Sequence, residues 1–343
     1  MEKYSQQRAI YILITSVICV LYLMVIYSLP SKWFLDRDFY ILYAEYSDIV
    51  IKDFTSTISM LVNEPVFLFV AKSFGVTFGA DSFPTAMSLL VSAVFLYCLT
   101  TQSKTSIVWF LGFLQLIFNP YLYAPQLMVL RQGVATAVFL YVFLNFKDEK
   151  TKLLVCLFLS FFHSIFFLVT IIYFAYIFFL KHRSPLQIIA ITGVFSSIIF
   201  LFSKLILSTL GFRQASLYSG VNETGGGGAF VLALITLLYV YFFGAKEKKD
   251  LFNWSLIGLV IFLTSYFLFF SPGRLFMTFF PFIFILLVQK SRFEDIVFLS
   301  FLNIVYMYLF YQGTYIALFQ YNSIEYIDSI FIRHISDIFH YLF

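Results

Sequence analysis

IYILITSVICVLYLMVIYSL, residues 10–29, contains no charge, no glycine and no proline, and a helix wound from it is apolar on every face. The hydrocarbon core of a bilayer demands about 20 such residues of a spanning helix. FNWSLIGLVIFLTSYFLFF, residues 252–270, reads the same way. A transmembrane barrel would alternate apolar and polar residues over segments of about ten, and neither run does so. Outward from these two, further apolar runs occupy residues 84–101, 106–123, 128–146, 186–207, 229–244, 274–289 and 295–318. The composition agrees, since 61% of the 343 residues are hydrophobic, 12% are charged and the mean hydropathy is +0.92. A water-soluble domain does not keep that balance. The predicted fold class is all-α, a polytopic integral membrane protein with about ten or eleven transmembrane helices in one membrane-embedded domain over residues 1–343. The run 10–29 is long and lacks a small-residue cleavage site after it, so it reads as a retained span and not a signal peptide.

The net charge of +4 is small and lies in short loops. It carries topology information and excludes a nucleic-acid footprint. Cys19, Cys98 and Cys156 sit inside apolar runs without metal-like spacing, as packing or lipid-facing residues. Lys3 with Arg8, Lys104, residues 147–152, 181–183 and 246–249, and Lys290 with Arg292 form the basic loops expected to face the cytoplasm. All of them can do so together when residues 153–180 cross the bilayer an even number of times. At about 1.5 Å per residue that stretch is too short for two full crossings. It is therefore predicted to be a broken hairpin of two short helices meeting near His163 and Ser164. The outer face then receives a long loop from residue 30 to about 57, the turn 119–130, the loop 204–228 and the turn 271–273. Within the outer segment 30–80, residues 59–79 contain Asn63, Glu64, Pro65 and Lys72 and read as a re-entrant or interfacial helix.

Ionisable groups at membrane depth are costly, which makes each a functional candidate. Arg274 follows Ser271, Pro272 and Gly273 and opens an apolar helix. Its guanidinium and the positive end of that helix would together suit a phosphate or diphosphate. The alternative is an arginine snorkelling at a helix end. Arg131 with Gln132 is a second such pair, or an interfacial cap. His163 lies between apolar neighbours as a hydrogen-bonded structural residue or a catalytic one, and Glu64 before Pro65 is a general base or a helix-start carboxylate. Asp36-Arg37-Asp38 contains an Asp-x-Asp that reads as a solvated loop or acceptor contact in preference to a metal site. The glycines 225–228, downstream of Tyr218, form a linker or a hinged lid.

Asp38-Phe39-Tyr40 with Tyr43, Asn63-Glu64-Pro65, Leu130-Arg131-Gln132-Gly133-Val134-Ala135, Phe162-His163-Ser164, Tyr218 with the glycine run, and Gly273-Arg274-Leu275 follow one another in that order. In this series the chain resembles the EpsG family of polysaccharide biosynthesis proteins, itself similar to the Wzy-type polymerases of O-antigen, capsule and exopolysaccharide. The resemblance covers residues 10–290. It implies a GT-C-like glycosyltransferase of the bacterial cytoplasmic membrane, with its site facing the exterior and no metal or other cofactor. Its substrate would be an undecaprenyl-diphosphate-linked oligosaccharide, joined to a sugar hydroxyl of a second lipid-linked unit. A chain-length regulator protein is a possible partner. On this reading Arg131, Arg274 and Arg213 hold the diphosphate, and His163 or Glu64 is the base or orients the acceptor. Gln132, Asp38, Tyr43 and Tyr218 touch substrate. A flippase for lipid-linked sugars would use the same basic cavity, though no two-fold repeat of broken helices is evident in the sequence. A membrane acyltransferase acting on surface sugars would also want a histidine.

Overall fold

The computed structural model describes residues 2–52, 57–209, 227–269 and 271–315. These form helices and turns, with no strand among the described residues. In chain order they are α1 (Glu2–Ser28), α2 (Arg37–Lys52), α3 (Thr57–Val62), α4 (Pro65–Phe78), α5 (Phe83–Gln102), α6 (Ser106–Phe118), α7 (Pro120–Leu127), α8 (Leu130–Asn145), α9 (Glu149–Ser160), α10 (Ile165–Ala175), α11 (Pro185–Thr209), α12 (Gly228–Phe243), α13 (Lys249–Leu268), α14 (Pro272–Leu287) and α15 (Phe293–Tyr311). A π-helical turn, Tyr176–Leu180, continues α10.

Among the described residues five segments are long and apolar enough to cross a membrane: Ile10–Ser28, Ala80–Gln102, Pro185–Phe202, Lys249–Leu268 and Phe293–Tyr311. The number rises to six if α6 and α7, bent by 62° at Asn119, make one span. The runs at 128–146, 229–244 and 274–289, read from sequence as full spans, form helices of 16 residues. At 1.5 Å per residue such a helix reaches about 24 Å, short of the roughly 30 Å hydrocarbon core. α8 and α14 are therefore shorter than a full crossing, and their N-termini frame the site described below.

Other expectations need correction. The run 106–123 is not one straight helix, because Pro120 cannot continue α6 and Asn119 takes an extended conformation, capping α7 by accepting from the Tyr121 amide. The run 295–318 ends as a helix at Tyr311. The loop placed at residues 204–228 is helical over its first part, since α11 continues to Thr209, and residues 210–226 lie outside the described part. The outer segment 30–57 is largely not a loop: α2 fills it, burying Arg37, Tyr40, Ala44 and Ser47 on one face. That spacing of three and four is the stripe of an amphipathic helix, invisible to a search for uniformly apolar runs.

The hairpin between residues 153 and 180 is present. α9 and α10 pack on each other and break at Phe161–Ser164, where the His163 amide donates to Leu159 O at 2.8 Å. Around them the core is aromatic, with Trp254 fully buried and ringed by Phe139, Phe143, Tyr173, Phe279 and Phe282. A polar ladder joins α6 to α15, Asn119 donating to Gln115 (2.9 Å) and Gln115 to Asn303 (2.8 Å). Side-chain amides paired in this way bind helices together where lipid gives no hydrophobic driving force. The basic loops gather at one end of the bundle. Gln289 bonds Gln102, Lys290 bonds Gly244 O, Arg292 bonds Phe243 O, and Lys181 meets Glu149 and Asp250.

Candidate functional site

The opposite end is built from broken helices. Pro65 removes a backbone donor and disfavours helical conformation at the residue before it. Glu64 is not extended, as a residue before proline usually is, but sits in the left-handed region at φ 66, a conformation costing about 1–3 kcal/mol for such a residue. The Val66 amide donates to Phe161 O at 3.1 Å, which locks the break before α4 against the break before α10. The turn between α7 and α8 is tight because Gly133 lets a carbonyl in. A Cβ there would lie 2.0 Å from Pro125 O.

These breaks converge the N-termini of α4, α8, α10 and α14. Glu64, only 4% exposed, is the hub. Its Oε1 accepts from the Ser164 amide (3.1 Å) and hydroxyl (3.3 Å), and so caps an α10 that has no cap of its own. Its Oε2 forms a salt bridge with Arg131 in the first turn of α8. The Arg131 guanidinium lies over the rings of Tyr43 (5.3 Å), Phe67 (5.5 Å) and Tyr40 (5.8 Å), a further source of cation stabilisation. His163, 3% exposed, presents Nε2 to Glu64 Oε1 at 3.9 Å. Its Nδ1 accepts from the Ile165 amide at 3.2 Å, so a neutral His163 carries its proton on Nε2.

Arg274 lies in the first turn of α14, a helix with no side-chain cap. Gln132 ties this turn to α8, its Nε2 donating to Arg274 O and to Thr278 Oγ1 (2.7 Å). Gln132 Oε1 is buried without a hydrogen-bond partner. A Cβ placed on Gly273 would meet nothing within 4 Å among the described residues, so the first turn of α14 is not packed against them at this position. His163 feels the charges of Glu64, Arg131 and Arg274 together.

Of the residues singled out from sequence, Glu64, Arg131, His163 and Tyr43 are in one cluster, with Gln132 and Arg274 beside it. Asp38 is exposed on the first turn of α2 and makes no contact with that cluster in the described structure. Arg213 and Tyr218 lie outside the described residues. Among the described residues no three His, Cys, Asp or Glu side chains gather as a metal-ligating group.

Arg37 was missed, having been read as part of a solvated loop. It is fully buried, donating from Nε to Leu127 O (2.9 Å) and from Nη2 to Ser88 Oγ (2.7 Å), with its guanidinium 4.5 Å from the Phe34 ring. Its charge meets the carbonyl end of α7, just before the turn that delivers Arg131. The stripe Arg37, Tyr40, Ala44, Ser47 was the available signal.

The fold and this cluster define a polytopic α-helical membrane protein with a charged site set among short helices. The EpsG family profile matches residues 11–326, nearly the whole chain, and the chain belongs to that family, which is associated with polysaccharide biosynthesis. No curated protein and no solved structure matches it.

Proposed function

We propose that the chain is a polymerase that joins undecaprenyl-diphosphate-linked oligosaccharide repeat units at the outer face of the bacterial cytoplasmic membrane. The observation that supports this most is the convergence of Arg131 and Arg274 with the N-termini of α8 and α14. A guanidinium and the amide end of a helix both favour an anion placed between them, and a lipid diphosphate is an anion that reaches this depth. The basic loops at the other end would then face the cytoplasm.

In the reaction the acceptor sugar hydroxyl attacks the anomeric carbon of the donor glycan. The bond from that carbon to the diphosphate oxygen breaks, and the leaving diphosphate keeps the electron pair. Arg131 and Arg274 stabilise the charge that develops there, a role that costs about a hundredfold or more in rate when one such contact is lost. The hydroxyl proton goes to Glu64. Resting Glu64 is neutralised by Arg131, and the diphosphate competes for that arginine, so donor binding exposes the base. His163 donates from Nε2 to the acceptor sugar, Gln132 Oε1 accepts from a sugar hydroxyl, and Tyr43 supports Arg131. Two guanidiniums supply the positive charge and no metal takes part. A separate chain-length regulator would act on the product.

Purified protein in bilayers, given lipid-linked repeat units and excess chelator, should yield longer lipid-linked chains. Transfer of unaltered units across the bilayer would establish a flippase, and ester groups on the sugars an acyltransferase. Glu64→Gln should remove extension and His163→Gln should reduce it partly. The reverse ranking would make His163 the base.

A further inference from the structure

α10 and α11 are joined by the short turn 181–184, yet each packs elsewhere, α10 on α9 and α11 on α13. The wedge left between them is a cavity of about 450 Å³, within the roughly 300–1,000 Å³ of small-molecule sites. Its walls are apolar: Leu168, Ile172 and Ala175 from one side, Phe195 and Ile199 from the other, with Ile261 as floor. Thr192 also lines it, its Oγ1 buried and without a hydrogen-bond partner. From Leu168 to Leu180 the lining follows the hairpin for about 18 Å at 1.5 Å per residue. Ile171 and Phe179 on its rim are 53% and 66% exposed, so the wedge opens sideways toward lipid.

Its position relative to the charged cluster gives it meaning. Leu168 is one helical turn along α10 from Ser164, the residue that holds Glu64. We propose that the wedge takes the polyprenyl chain of the lipid-linked donor, laid along α10 from the diphosphate site toward the opposite end of the bundle. The inference rests on the reading of the donor as a lipid-linked glycan. A donor whose diphosphate lies among short-helix N-termini, inside the bilayer's depth, must lead its chain out sideways. An uncollapsed apolar wedge loses packing contacts along its whole lining unless a chain fills it. Ordinary phospholipids hold their headgroups at the membrane surface and would reach the wedge without engaging the site.

The test uses the full-length protein in bilayers and a diazirine-bearing polyprenyl phosphate, with a diazirine-bearing phosphatidylglycerol as comparison. The polyprenyl probe should label peptides of α10 and α11 that line the wedge, in preference to the phospholipid probe. Ala175→Trp, which fills the wedge, should cut that labelling about tenfold, as overpacking a fitted site does. Val194→Trp, on the 64% exposed lipid face of α11 outside the wedge, should leave it unchanged. Equal labelling by both probes, polyprenyl labelling elsewhere, or insensitivity to Ala175→Trp would overturn the proposal. Labelling requires no turnover, so it stands or falls apart from chain extension, which would fail in the unaltered protein if the polymerase reading were wrong.

Discussion

The two ends of the bundle treat charge in opposite ways. At the C-terminal ends of α8, α10 and α14 lie Lys147, Lys181 and Lys290, where cations suit the helix dipole. Two of these lysines find acids close by: Lys181 meets Glu149 at 2.7 Å and Lys290 meets Glu247 at 3.3 Å. Tyr173 and Tyr176 complete the network by donating to Glu149 and Asp250. At the N-terminal ends of α8 and α14, arginines sit where the dipole disfavours them, with Glu64 as the counter-charge to Arg131. One end pairs lysines with acids at the rim, and the other buries its ion pair among helix N-termini. On the proposed function, the first set of charges holds the fold and the second serves an anionic substrate.

Changes at the Glu64 end should have the largest effects. Arg131→Ala leaves the Glu64 carboxylate buried without its cation, and losing one partner of a buried pair costs about 3–5 kcal/mol. A thermal denaturation scan in detergent should show that loss together with abolished chain extension. Stability close to wild type would mean the pair is looser than the structure shows. Arg274→Ala should reduce extension about a hundredfold at unchanged membrane abundance, because its guanidinium acts on the transition state. Arg274→Lys should recover part of that, since an ammonium lacks the planar fork that grips two phosphate oxygens. Extension near the normal rate in Arg274→Ala would assign it to snorkelling.

Gly133→Ala tests the turn that aims Arg131. The added Cβ would push on Pro125 O, and overpacking of this kind costs about 1–3 kcal/mol. Extension should fall along with melting temperature; a neutral result would show that the turn before α8 adjusts freely.

The opposite end should be nearly silent for chain extension. Glu149 sits in a part-buried network with Lys181 and Tyr173, so Glu149→Gln is expected to cost about 1.5–3 kcal/mol of stability, as hydrogen bonds to a charged group do, and to leave extension intact. Burial pushes the Glu149 carboxyl up, but hydrogen bonds from Lys181 and Tyr173 more than offset this and hold it below the ordinary carboxylate value. A group depressed in the folded state stabilises above its unfolded value, and that contribution is lost as pH falls through the lowered one. Melting curves taken into the acid range should show this loss in the unaltered protein and lack it in Glu149→Gln.

Much of this contrast was legible in the sequence. Uniform apolarity announced the membrane helices, and Pro65 and Pro272 announced two of the breaks through local backbone chemistry, whereas the break at Pro120 was read through as one continuous run. The parity of the basic loops announced the hairpin at His163 and Ser164. The pairing of Glu64 with Arg131 was not legible, because residues 67 positions apart meet through packing that no local pattern encodes. Nor was Arg37, since flanking acids made an amphipathic helix look like a solvated loop. The runs at 128–146, 229–244 and 274–289 were read as full spans, because apolarity alone does not show where a helix ends, and each forms a helix of only 16 residues.

The central claim is that Glu64 and Arg131 serve a substrate and do not merely brace the fold. It is tested most directly by the double variant Glu64→Gln/Arg131→Gln, which removes both buried charges at once and so avoids the penalty of leaving one unpaired. Chain extension from lipid-linked repeat units should be measured on this variant at wild-type abundance and with a melting temperature close to that of the unaltered protein. The account predicts a stable protein that makes no polymer. A stable double variant that extends chains at a near-normal rate would contradict it and reduce the ion pair to a strut.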